Sequence, residues 1–247
     1  VSDTVGVSLI VAAGVDGEAI GDQGSDLEVI RLDPGDENGL LADLRAGLER
    51  ADGELICYLG RGERLRDGAV AELARTVEHQ DTIVLAYPAY ERLGEDDEAL
   101  ETVVPEEVGA WEVLRLQRSP VGAAPMFRRA ALTVALRPEP DFDHLHELVF
   151  WLRLMMEGEA RRNPRTLAAR DAANEPDESP AGTAAAHERI KFYERFVQQI
   201  PSPSDPRQGV LSAARNAFIA GSAEIPGHND PDGRFFIADR YARNLPD

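Results

Sequence analysis

The densest set of side chains able to hold a metal or move a proton is Asp141, Asp143, His144, His146 and Glu147, all within one short stretch. Asp141, His144 and Glu147 follow one another at i, i+3 spacing, so a helix starting here would present ligand types on one face. In a chain with 45 Asp and Glu residues, the set reads as acidic richness rather than as a metal centre. Cys57 is the only cysteine, which removes internal disulfides and cysteine-cluster metal sites. It lies inside Leu55-Ile56-Cys57-Tyr58-Leu59 and reads as a small buried hydrophobe, not a nucleophile. His228-Asn229-Asp230 reads as a turn, and Glu95-Asp96-Asp97-Glu98 as a solvated loop. The sequence contains no P-loop, Gly-rich dinucleotide fingerprint, G-x-S-x-G elbow or H-E-x-x-H helix. What remains is Gly60-Arg61-Gly62-Glu63, a charged and glycine-rich tetrad directly after an apolar run.

The elements that must position these residues follow from periodicity. Val5 to Ala13 is a continuous apolar run ending at Gly14, which predicts a buried strand. Leu27 to Leu32 predicts a second strand, stopped by Asp33-Pro34-Gly35. Leu40, Leu41, Leu44 and Leu48 recur at helical spacing between a capping region at Asp36 to Asn38 and Gly53. Glu54 to Leu59 is a third strand, Gly68 to Glu78 a second helix, and Thr82 to Tyr87 a further strand. A short strand within Val121 to Phe127 enters a helix near Arg128 to Leu136, and Pro138-Glu139-Pro140 breaks the chain. Leu145, Leu148, Val149, Leu152, Met155 and Met156 then form a wide apolar helical stripe ended by Gly158. The β, β, α, β, α order predicts an α/β fold with a mostly parallel sheet flanked by helices. The expected division is one domain over 1–173, a flexible loop over 174–182, and a helical C-terminal appendage over 183–247 packing on the same domain.

Composition narrows the partners. The 247 residues are 43% hydrophobic, enough for one sizeable core. The formal charge is −19, and Lys191 is the only lysine. Nucleic acid is excluded as an expected partner, because phosphate binding needs a basic face. An acidic surface of this kind suits a high-salt cytoplasm. No run approaches the roughly 20 apolar residues of a membrane span, and Val1 to Ala13 lacks the features of a signal peptide. The expectation is a soluble, cytoplasmic protein, with other domains of a longer chain among its partners.

A series of segments from about Val7 to Arg170 resembles the landmarks of the family 2 nucleotide-sugar glycosyltransferases, which have the GT-A fold. Val7-Ser8-Leu9-Ile10-Val11 is similar to the family's first strand, and Leu27 to Gly35 to the strand and acidic turn that hold uracil and ribose. Asn38 to Ile56, with Gly39, Gly47 and Gly53, resembles the helix and strand that deliver the metal-binding aspartates. Pro120 to Arg129 resembles the acceptor-side strand, and His146 to Leu154 the helix carrying the catalytic base.

The resemblance implies transfer of a sugar from a nucleotide diphosphate sugar to a glycan or other hydroxyl acceptor. Such a reaction uses Mn²⁺ or Mg²⁺ to neutralise the leaving diphosphate and a carboxylate to deprotonate the acceptor. By position, Asp33 holds the nucleotide, Glu147 is the base, and Trp151 with Arg153 supports the acceptor wall. The chain departs from the pattern at the metal. Where paired aspartates normally stand at i and i+2 it has Gly60 and Gly62, a degenerate DxD motif. Either Glu63 alone ligates a cation, or Arg61 sets a positive charge against the diphosphate with no cofactor; the second is favoured. Ala12-Ala13-Gly14 replaces the usual Pro and Asn, and a strand common in the family is skipped between Asp33 and Asn38. These departures imply weak or metal-independent transfer. The alternative is a catalytically inactive GT-A domain kept as a binding or assembly module.

Overall fold

The computed structural model describes residues 6–24, 27–33, 39–110, 113, 121–143 and 145–174, together with Glu188, Phe192 and Arg195. Its first half is a parallel unit. Strand β1 (Val7–Val11) pairs in parallel with β2 (Glu28–Arg31) on one side and β3 (Leu55–Leu59) on the other. Such a strand is covered on both faces, which is why it reads as an unbroken apolar run. Leu9 and Val11 pack under one face of the sheet with Leu55, Cys57 and Leu59, while Ile10 and Ala12 pack under the other with Ile56. Helix α1 (Leu40–Leu48) carries the chain from β2 to β3 and buries Leu41, Asp43 and Leu44. Gly47 faces Ile10, where an added Cβ would lie 2.4 Å from Ile10 Cδ1.

After β3 come the short β4 (Glu63–Leu65), helix α2 (Ala69–Glu78), the long β5 (Ile83–Leu93) and its hairpin partner β6 (Ala99–Val103). Then follow β7 (Met126–Arg128), α3 (Arg129–Ala135), α4 (His146–Glu157) and β8 (Glu159–Asp171). The sheet order is β2-β1-β3-β7-β5-β8-β4, with β6 beside β5. The expected α/β sheet flanked by helices is present, but parallel pairing is confined to β2-β1-β3 and to β5 with β8. β7 lies antiparallel between β3 and β5. β4 closes the far edge antiparallel to β8. Helices α1, α3 and α4 cover one face around Phe127, Phe150 and Trp151, and α2 covers the other.

Two adjacent arginines lock the layers to the sheet. Arg128, at the end of β7, donates to the carbonyls of Val77 and Ile83 at 3.0 and 3.1 Å, tying down the end of α2. Arg129 donates to the carbonyls of Leu48, at 3.0 Å, and of Ala51 and Gly53, closing the end of α1. Each guanidinium satisfies carbonyls that a helix terminus leaves without partners. The start of α2 is served from a distance, since the Val70 amide donates to Gln23 Oε1 at 3.0 Å. At the start of α4 the Glu188 carboxylate accepts from the Asp143 and Leu145 amides at 3.1 and 3.0 Å. Phe192 meets Phe142 edge to face, and Arg195 pairs with Glu139 and Asp141. Apart from these three residues, the expected appendage over 183–247, the loop over 175–182 and the His228 turn lie outside the described residues. Among the described residues no helix is long and apolar enough to cross a membrane.

Candidate active site

The parallel strands β2, β1 and β3 end together, and the strand order reverses at β1, with β2 on one side of it and β3 on the other. Open α/β sheets bind ligands at such a point, outside the carboxyl ends of the strands. A cleft of about 420 Å³ opens there, walled by the start of α1, the turn after β3, the entry to β7, and α4. Arg61, Glu63, Glu147 and Trp151, four residues singled out from sequence, all line it, joined by Asp43, Tyr58, Arg170 and Asn174.

The turn Gly60 to Glu63 is the most constrained part. The Glu63 amide donates to the Gly60 carbonyl at 3.1 Å, which closes the turn. Gly62 sits at φ +68°, where a side chain is costly, and a Cβ there would lie 2.3 Å from Asn174 Nδ2. The turn is therefore shaped around glycine at the place where a metal-binding aspartate was expected. Glu63, only 3% exposed, turns its carboxylate inward. Its Oε2 accepts from the Gly60 and Ala124 amides at 3.0 and 3.1 Å, and its Oε1 pairs with the Arg170 guanidinium. These three donors take up the carboxylate, so Glu63 holds the turn instead of presenting a ligand face. Among the described residues there is no group of three His, Cys, Asp or Glu side chains placed to hold a metal ion. Among the described residues, those lining the cleft present no set that fits a divalent cation.

On the opposite wall, helix α4 places Glu147 and Trp151 one turn apart, and the Trp151 indole donates to Glu147 Oε1 at 3.2 Å. Trp151 is fully buried, stacked at 6.1 Å on Phe127 and set edge to face against Phe150 at 4.8 Å. A rigid aromatic cluster thus orients one carboxylate oxygen at the cleft. Deeper in, Tyr58 donates from its hydroxyl to Asp43 Oδ2 at 2.7 Å. Burial, and then the neighbouring Asp43 carboxylate, push the Tyr58 phenol well above its ordinary range. Burial pushes the Cys57 thiol up to about 12, as befits an inert core residue.

Two expected site residues stand elsewhere. Arg153 is not in the cleft: it donates to the Arg137 carbonyl at 2.8 Å and pairs with Glu139. Two residues along a helix are about 200° apart around its axis, so a neighbour of Trp151 at i+2 faces away from the wall that Trp151 lines. Asp33 is exposed just past β2, at the same end of the sheet as the turn but outside the cleft walls. Of the early acidic cluster, His144 lies outside the described residues, and Asp141 is engaged by Arg195 at 2.8 Å. His146 Nδ1 lies 2.8 Å from the Asp143 carbonyl. Arg170, Asp43, Tyr58 and Asn174 had not been singled out for the site. Only Tyr58, the one polar group in an apolar strand, left a trace in the sequence.

A layered α/β sheet with a cleft at the carboxyl ends of its first parallel strands has the GT-A-like fold, and solved structures bear this out. Over 97% of its length the chain is similar to the crystal structure of GalNAc-T7 with UDP, GalNAc and Mn²⁺, with a TM-score of 0.52 at 10% identity. The chain spans about half of that protein, 55% of its length. Over 96% of its length it is similar to residues 1–349 of S. aureus TarS in complex with UDP-GlcNAc, with a TM-score of 0.50, 10% identity and 91% of that chain covered. At such identities the likeness is one of fold. No protein-family model matches the sequence, and no curated protein sequence does.

Proposed function

We propose that the chain is a family 2-type GT-A glycosyltransferase domain that moves a sugar from a nucleotide diphosphate sugar to a hydroxyl acceptor without a bound divalent cation. The observation that carries this reading is that Arg61, the Glu63 turn, Glu147 and Trp151, drawn from two distant segments, line one cleft. Two solved proteins of the same fold were crystallised with UDP or UDP-GlcNAc, which supports a nucleotide-sugar donor. Glu147 takes the proton of the acceptor hydroxyl as its oxygen attacks the anomeric carbon, while the bond from that carbon to the diphosphate oxygen breaks. Arg61 offsets the charge gathering on the departing diphosphate, a task at which one guanidinium is weaker than a divalent ion. Trp151 holds Glu147 by its indole N–H, and Asp33, about 10 Å from β3 at two strand spacings, takes the nucleoside end. The test is release of UDP from UDP-GlcNAc and UDP-GalNAc with a mixed panel of hydroxyl acceptors in EDTA. Glu147→Gln lowers turnover by about 10²–10⁴-fold while leaving donor affinity in place; an unchanged rate removes Glu147 as the base.

A second reading, a GT-A domain that binds without transferring, is favoured by one observation. Asp43, Glu63 and Glu147 outnumber Arg61 and Arg170 among the charged residues lining the cleft, which weakens its hold on a departing diphosphate. Donor binding with no turnover against any acceptor would select it.

A further inference from the structure

We propose that Arg170 is the second cation of the diphosphate site, held in place by Glu63, so that Arg61 in the turn and Arg170 on β8 together take the part of a divalent ion. This rests on the nucleotide-sugar reading and adds to it a residue and a mechanism of positioning. In the ladder between β4 and β8, Glu63 and Arg170 are directly opposed, so the pairing is built into the sheet edge. The Glu63 carboxylate cannot follow its partner outward, because the amides of Gly60 and Ala124 hold its other oxygen. The Arg170 guanidinium lies 6.0 Å from the centroid of the Tyr90 ring, which supports it from a second direction.

This arrangement leaves the arginine incompletely satisfied. Its Nε is buried and has no hydrogen-bond partner, which is uncommon for a buried donor. The side chain keeps 13% of its surface exposed and lines the same cleft as Arg61. A guanidinium carries five N–H donors in a planar fork, more than the single contact to Glu63 uses, and that fork matches two oxygens of a phosphate. Glu63 is thus a positioning residue. It aims Arg170 as paired aspartates would aim a metal ion, and glycine at 62 leaves room for the Asn174 side chain against the turn.

The test is calorimetric titration with UDP, UMP and inorganic pyrophosphate in EDTA at constant ionic strength. Wild type, Arg170→Lys and the double variant Glu63→Gln/Arg170→Gln are compared; the double variant removes both charges together and orphans neither. Loss of a charge-assisted fork predicts that UDP and pyrophosphate bind about 10- to 100-fold more weakly to both variants, while UMP affinity changes less than about threefold. A merely structural role would weaken UDP and UMP alike. Where the double variant does not fold, Arg170→Lys carries the comparison. Unchanged UDP affinity in the variants overturns the role of Arg170 and leaves the nucleotide reading standing. Pyrophosphate binding that depends on Arg170, without any UDP binding, upholds the anion site and overturns the nucleotide reading. Binding of neither by wild type overturns both.

Discussion

Replacing Gly62 by Asp supplies the carboxylate that the family resemblance led one to expect at this position, and the structure argues that it creates no metal site. At φ +68° a residue with a Cβ costs about 1–2 kcal/mol. A Cβ 2.3 Å from Asn174 Nδ2 and 3.0 Å from Asn174 Cβ adds an overpacking cost of about 1–2 kcal/mol, since Asn174 must move. The sum, about 2–4 kcal/mol, corresponds to a fall in Tm of roughly 5–15 °C for a domain of this size. Scanning calorimetry measures the shift, and Asn174→Ala in the same chain recovers the steric part owed to the Asn174 amide but not the backbone part. A parallel titration with Mn²⁺ should give no new binding, because Glu63 stays committed to the Gly60 and Ala124 amides and to Arg170. A variant as stable as wild type that also bound Mn²⁺ tightly would refute the reasoning on both counts.

Arg129→Met strips the carbonyl of Leu48 at the end of α1, and those of Ala51 and Gly53 in the connection to β3, of their donor and should destabilise the domain by about 2–3 kcal/mol in urea unfolding. The Ser8 hydroxyl and then the Asp52 amide hold the Glu28 carboxyl below its ordinary range. A lowered folded-state pKa contributes stability that is fully present above the ordinary glutamate value of about 4.3 and lost as pH falls through the folded value. The advantage of wild type over Glu28→Gln should therefore shrink in urea titrations taken from pH 7 down to pH 3; a constant difference would remove Glu28 as the cause. Cys57, fully buried with its thiol raised to about 12, should react with an aromatic disulfide reagent at pH 8 only as fast as the protein unfolds. Prompt labelling of native protein would contradict the described core.

The parallel half of the fold was legible because strands buried on both faces and amphipathic helices leave strong periodic signals, and β1, β3, α1, α2 and α4 fall within a few residues of expectation. β8 was not. Its thirteen residues include four arginines and Pro164, and the proline lies where the pairing with β5 skips from Asn163 to Thr166, a bulge that spares the missing N–H. β6 is almost wholly exposed and β4 is three residues long, so neither has an apolar pattern to read. At the site, the turn and Glu147 drew notice because their segments resemble a family's, and the structure brings them to one cleft. The fate of Glu63 depended on Ala124 and Arg170, both distant in sequence, and no spacing rule reveals a carboxylate turned inward. Arg170 was hidden for the same reason, since it sits at the end of an unrecognised strand. Arg153 was misplaced by proximity in sequence, where the helix carries it away from the cleft.

The central claim is a nucleotide diphosphate site that works without a divalent ion. It is tested most directly by calorimetric titration of the wild-type chain with UDP in EDTA and again in Mn²⁺. Equal affinities in the two buffers, abolished by Arg61→Ala, are what the account predicts. Binding seen only in Mn²⁺ would contradict it.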